Sequence, residues 1–211
     1  MQQQRPNQQN QAMPNAQPPI QNAGNTNHGG HELFDAHEVI AGIINLLDHY
    51  QMYEQHVQDP ELKTILNHQS QFVTTMYNMI VQSFQTGQDP KVPTGQYTMQ
   101  QSNEVVYGIN PGPPKKPNQS VNELSDKGLT AYMLGHTKSL ASLFTMTALE
   151  MTNPILRRVV SDSVPNLIEL SYEIFLYQNK HSYYQVPQLA QQDMQLMLQS
   201  YATVPSQGTI H

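Results

Sequence analysis

From residue 33 onward the apolar positions of the chain fall on helical stripes. In "HELFDAHEVIAGIINLLDHYQMYEQHV", Val39, Ile43, Leu46, Tyr50, Tyr53 and Val57 recur at intervals of three and four, with Ile40 and Leu47 widening the same face. Such spacing turns one side of an α-helix toward a core. A second stripe runs through Leu62, Ile65, Leu66, Phe72, Val73, Met76, Ile80 and Phe84, and Gly87 and Pro90 are placed to end that helix. A third helix is predicted from about Asn122 to Met151. A fourth follows from Pro154 to about Ser182, striped by Leu156, Val159, Val160, Leu167, Leu170, Ile174 and Tyr177. Pro165 lies inside it and predicts a kink, because the ring removes one helical hydrogen bond and crowds the preceding turn. A short fifth helix, 187–202, carries Leu189, Leu196, Met197 and Tyr201.

Two turns are written alike. "QDPELKTIL" and "TNPILRRVV" stand 94 residues apart. In each, Asp59 or Asn153 is a good N-cap, and Pro60 or Pro154 occupies the first helical position, where its missing N–H is not needed. At the same offset Leu46 pairs with Leu140, Tyr50 with Phe144, Met52 with Met146, Leu62 with Leu156, Lys63 with Arg157 and Ile80 with Ile174. The pattern reads as a duplicated helical hairpin, 31–87 and 122–182. The connection 88–121 is rich in Pro and Gly, with at most a short extended piece at "EVVYGI". Helices of this length are roughly 42 Å long, and the connection can stretch to roughly 110 Å. It can therefore run from one end of the helices to the other and bring the third helix in parallel to the second. The expected fold is all-α: a ferritin-like four-helix bundle of two hairpins joined by a long crossover, plus the short C-terminal helix.

Composition sets the domain limits. Residues 1–29 are Gln, Asn and Pro with little to bury, which predicts a disordered tail. Residues 30–202 form the folded unit, and 203–211 should fray. The tail has no apolar core of a signal peptide, and no apolar run approaches membrane-spanning length. With 10 Lys and Arg against 16 Asp and Glu, and no basic stripe beyond "PKKP" and Arg157-Arg158, nucleic acid is not an expected partner. The absence of Cys excludes disulfides, thiol catalysis, Cys-zinc sites and iron–sulfur clusters.

The stretch from Asp126 to Tyr184 resembles the spore coat protein F family of endospore-forming bacteria. The resemblance rests on Asp126-Lys127 at the start, Lys138 midway along an apolar helix, Glu150 shortly before Asn153-Pro154, Leu156-Arg157, and Tyr183-Tyr184 at the end. Residues 33–86 look like a degenerate copy, with His56 where the second copy has Glu150 and Ile44 where it has Lys138. The resemblance implies a ferritin-like bundle in the spore, in its coat. It further implies a non-enzymatic structural role, assembly with other coat proteins and with copies of itself, and synthesis in the cytoplasm of the sporulating cell.

The alternative is an atypical or vestigial ferritin-like metal enzyme. A dinuclear carboxylate site needs Glu-x-x-His on two helices. Glu38, Glu54, Glu150 and Glu169 are followed at the third position by Ala41, Val57, Asn153 and Tyr172, so that site is missing and no cofactor is expected. His31, Asp35 and Glu38 share a face and are the weak metal candidates; Asp and Glu in a first turn are otherwise accounted for by the helix dipole. Glu150 and Arg157 are expected to pair across the second turn. Lys138 is expected to bury its stem and expose its ammonium. Tyr97, Tyr107, Tyr183 and Tyr184, with Lys115 and Lys116, are the candidates for covalent cross-linking, provided that they are accessible.

Overall fold

The computed structural model describes residues 28–205. Most of the expected tail and residues 206–211 lie outside this range. Residues 28 and 29, assigned to the tail by composition, belong to the folded part: His28 bonds the Phe84 carbonyl at 3.0 Å, and the Gly29 amide donates to Thr152 Oγ1 at 3.3 Å.

Four long helices are present: α1 (Gly30–Glu54), α2 (Pro60–Thr86), α3 (Asp126–Glu150) and α4 (Pro154–Lys180). A short α5 (Gln191–Leu198) follows. The described residues form no strand; one isolated parallel bridge joins Tyr107 to Val186. Helix starts follow their caps. Asp59 accepts from the Glu61 amide at 2.8 Å, and Asn153 accepts from the amides of Ile155 and Leu156 at 3.0 Å, each with its proline at the first position. The third helix starts later than predicted. A 3₁₀ turn takes Val121–Glu123, and Ser125 caps α3 by accepting from Gly128. Gly87 closes α2 in the left-handed conformation, φ 61°, that favours glycine. α4 continues through Pro165.

α1 packs on α2 and α3, and α4 packs on the same two. The hydrogen bonds at the ends fix the directions. The loop before α2 meets the start of α3, since Gln58 and Asp59 amides both donate to the Asp126 carboxylate at 3.0 Å. The loop before α4 meets the start of α1 through Glu32. α2 and α3 therefore run parallel and on opposite corners, and the crossover between them must travel the length of the helices. It does so along α2 and α4. Three α4 side chains hold it: Asn166 on Tyr97 N and Gly95 O, Glu173 on Gln100 N, and Asn179 on Val106 N and O, at 2.7–3.0 Å.

The predicted stripes are the core. Val39, Ile43 and Tyr50 of α1, Leu62 and Ile80 of α2, Met133 and Phe144 of α3 and Leu167 and Tyr177 of α4 are wholly buried. α1 and α3 approach closely at Gly42, where a Cβ would come within 2.9 Å of Leu140 Cδ1. α5 is shorter than predicted and buries nothing: Leu189, Leu196, Met197 and Tyr201 are all exposed.

Candidate functional site

The two ends of the molecule are built alike. Glu32, in the first turn of α1, is wholly buried. It accepts from the amides of Thr152 and Asn153 at 2.6 and 2.9 Å, from the Thr152 hydroxyl, and bonds His28. Asp126, in the first turn of α3, accepts from Gln58 and Asp59 in the same way. Glu32 and Asp126 are themselves 94 residues apart, as are the loops they cap. Each half therefore closes the other half's turn. Burial pushes the Glu32 carboxyl up, but the bonds from Thr152, His28 and the two loop amides outweigh it and hold the group below the usual carboxylate range.

Glu32 supplants the interaction expected at the second turn. No ion pair joins Glu150 to Arg157. Glu150 is the exposed last residue of α3, and Arg157 lies on the exposed side of α4. Its neighbour Arg158 pairs with Asp89 and with Asp162.

The core carries a second buried carboxylate, Glu173 of α4. It accepts from Gln69 Nε2 at 3.0 Å, from Gln100 N at 2.7 Å and from the Tyr97 hydroxyl. Tyr50 donates to Gln69 Oε1 at 2.7 Å, and His68 Nδ1 lies 3.1 Å from the Tyr97 oxygen. Burial and the adjacent Glu173 carboxylate push both tyrosines far above their ordinary range. Tyr97 is therefore not an exposed residue of the crossover, as expected for cross-linking; it is 5% exposed and anchors that segment to the core.

Among the described residues one trio of metal-type side chains is gathered: Asp59, Glu61 and His181, with ligand atoms within 4.8 Å of one another. His31, Asp35 and Glu38 are not so gathered. The trio's carboxylates are already engaged. Asp59 accepts from Tyr177 at 2.7 Å, and Glu61 accepts from Lys180 at 2.9 and 3.0 Å and from Gln101 at 3.1 Å. The Tyr177 hydroxyl draws the Asp59 carboxyl down despite its burial. Burial raises Glu61, and the Lys180 and Gln101 bonds more than reverse it. Lys180 pairs with Glu61 and Tyr177 bonds Asp59, so the arrangement works as a polar clasp between α2 and α4.

Of the remaining cross-linking candidates all but Tyr183 lie in the open. Tyr107 is 60% exposed, Tyr184 is 42% exposed, Lys115 and Lys116 are exposed, and Tyr183 is half-buried. Tyr183, Tyr184, Lys115 and Lys116 line one groove of 610 Å³ between the Pro-rich part of the crossover and α3. Lys138 is exposed there, its ammonium 5.7 Å from the centre of the Tyr184 ring.

The coat F domain family matches residues 125–187, which span α3, α4 and the two tyrosines after it. The spore coat protein F-like protein YhcQ of Bacillus subtilis (strain 168) is 48% identical over 180 residues, covering 85% of this chain and 82% of that protein. No solved structure matches significantly. No described helix is long and apolar enough to cross a membrane.

Proposed function

The chain belongs to the spore coat protein F-like family, and on that premise we propose that it is a non-enzymatic structural component of the bacterial spore coat. It acts by assembling with other coat proteins and with copies of itself. The packed helices with their end-to-end crossover are read as a ferritin-like four-helix bundle. Residues 30–202, with His28 and Gly29 bonded to them, form that unit, preceded by a Gln/Asn/Pro-rich tail.

The observation that carries the non-enzymatic reading is the state of Glu173. In a ferritin-like enzyme, core carboxylates are left free to bind a metal. Here the core carboxylate is filled by Tyr97, Gln69 and Gln100, two of which belong to the crossover. Its chemistry is spent on holding the fold.

Fractionated spores test the assignment. A tagged chain expressed from its own promoter should appear in the coat extract of purified spores. Its presence only in the mother-cell lysate or the spore core would overturn the coat assignment.

A further inference from the structure

The groove beside α3 is chemically unlike the rest of the protein. Of the chain's 10 Lys and Arg, Lys115, Lys116, Lys127 and Lys138 line it, whereas none of its 16 Asp and Glu does. A chain with a net charge of −6 has gathered four of its ten positive side chains in one place. None of the four ammonium groups is in an ion pair, although Lys180 and Arg158 elsewhere are. The walls between them are flat and apolar: Pro113, Pro114, Tyr132 and Tyr184.

The floor is left open at a cost. Lys127, Ala131, Gly135 and Lys138 lie on one face of α3. Gly135 stands inside the helix, where glycine costs about 1 kcal/mol against alanine. Packing does not require it, since a Cβ there would meet nothing within 4 Å. What a larger side chain would do at this position is fill the groove.

We propose that this groove docks an acidic, extended segment of a partner protein. Charge decides the sign of the ligand and spacing decides its size. Lys127 and Lys138 are separated by roughly 16 Å along the helix axis. A single phosphate or carboxylate cannot reach both, whereas an extended segment spans that distance in about five residues. All four cations are lysines. Their flexible point charges suit carboxylates distributed along a peptide better than the fixed fork geometry that arginine offers to one planar anion. The tail of this chain is not the occupant, because residues 1–27 contain no Asp or Glu. The inference takes its biological setting from the assembly reading above and supplies the chemistry of the partner.

The test uses the purified full chain and a fluorescein-labelled ten-residue oligoglutamate, followed by fluorescence anisotropy at low salt. Saturable binding is expected, absent for oligoglutamine of the same length. Lys127→Gln with Lys138→Gln should weaken it at least tenfold. Gly135→Leu, which changes no charge, should do the same; if it disturbs the circular dichroism spectrum, Ala131→Leu at the next exposed position replaces it. Lys63→Gln with Lys91→Gln removes as much charge outside the groove and should leave binding within twofold. No binding of oligoglutamate, an equal loss from the Lys63/Lys91 pair, no effect of the steric variants, or displacement of the peptide by equimolar inorganic phosphate would each overturn the proposal. The measurement does not depend on where the chain resides in the spore, so its failure and a failure of the coat assignment are separable.

Discussion

Removing the Glu32 carboxylate should be one of the costlier single changes this fold can suffer, and the cost can be worked from its partners. Three donors of one loop converge on one oxygen: the Thr152 amide, the Thr152 hydroxyl and the Asn153 amide. Thr152 is exposed, so in Glu32→Ala its two donors regain water and the loss is about 1 kcal/mol. Asn153 is buried, at 3% exposed. Its amide loses a bond to a charged group in the protein interior, which costs a further ~2 kcal/mol, for a total near 3 kcal/mol. The matching change at the other end, Asp126→Ala, strands two amides on residues that reach water, Gln58 and Asp59, and should cost only about 1 kcal/mol. At about 3 °C per kcal/mol for a domain of this size, Glu32→Ala should melt roughly 9 °C lower and Asp126→Ala roughly 3 °C lower. The two sites are at opposite ends, so the double variant should be additive within ~0.5 kcal/mol. Urea unfolding followed by circular dichroism at 222 nm measures all three. The folded-state pKa of Glu32 is depressed, so its contribution is present above the ordinary carboxylate range and is lost as pH falls through the folded value. The gap between the natural chain and Glu32→Gln should therefore be full at pH 7 and narrow only as pH falls below the ordinary carboxylate range toward the folded value. A Glu32→Ala variant within 0.5 kcal/mol of the natural chain, or an Asp126→Ala variant that is the worse of the two, would refute the reasoning.

Three further outcomes are expected. Burial and the neighbouring His49 ring push the His136 pKa down, so the unfolded state binds its proton first, and stability should decline as pH falls below about 6.5. His136→Phe should flatten that part of the profile, and an unchanged slope would exclude His136 as its source. Glu173→Leu removes a partner from each of Tyr97, Gln69 and Gln100, and should release the crossover to protease between residues 91 and 106 at concentrations that leave the natural chain intact; equal resistance would mean that Asn166 and Asn179 suffice. In spores, a fraction of the protein should resist extraction by detergent and reductant, and that fraction should shrink when Tyr107, Tyr183 and Tyr184 become Phe but not when Tyr97 does. Complete extraction of the natural chain would rule cross-linking out.

The helices were legible because their signals are local. Stripes of apolar residues and the Asp59-Pro60 and Asn153-Pro154 caps state where a helix turns inward and where it begins. The course of the crossover was not legible, since it depends on Asn166, Glu173 and Asn179, polar residues on a helix whose stripe reads as purely apolar. Tyr97 was misplaced for the same reason: a tyrosine in a Pro/Gly-rich stretch looks exposed until a buried carboxylate is found beneath it. Glu150 and Arg157 flank a turn in sequence, yet the loop amides were taken by Glu32 from another helix. Glu32 did leave a trace. The 94-residue offset that aligns the two turns also aligns Glu32 with Asp126, acid with acid, each in a first turn. The Asp59, Glu61 and His181 clasp left none, because it joins residues about 120 positions apart.

The exchange of caps between halves carries a consequence for any smaller version of this fold. In either hairpin the acidic first turn and the loop amides that need it stand at opposite ends of the same helix, roughly 36 Å apart. A single hairpin cannot close its own turn. The coat F domain match, residues 125–187, is one such hairpin. A protein consisting of that unit alone would leave its loop amides to water, or bond them to the carboxylate of a second, antiparallel molecule and give its own in return. The present chain has the arrangement that two such units would take if joined covalently, with the crossover as the tether. Its halves are not identical: His56 stands in the first where the second has Glu150, and Ile44 where it has Lys138.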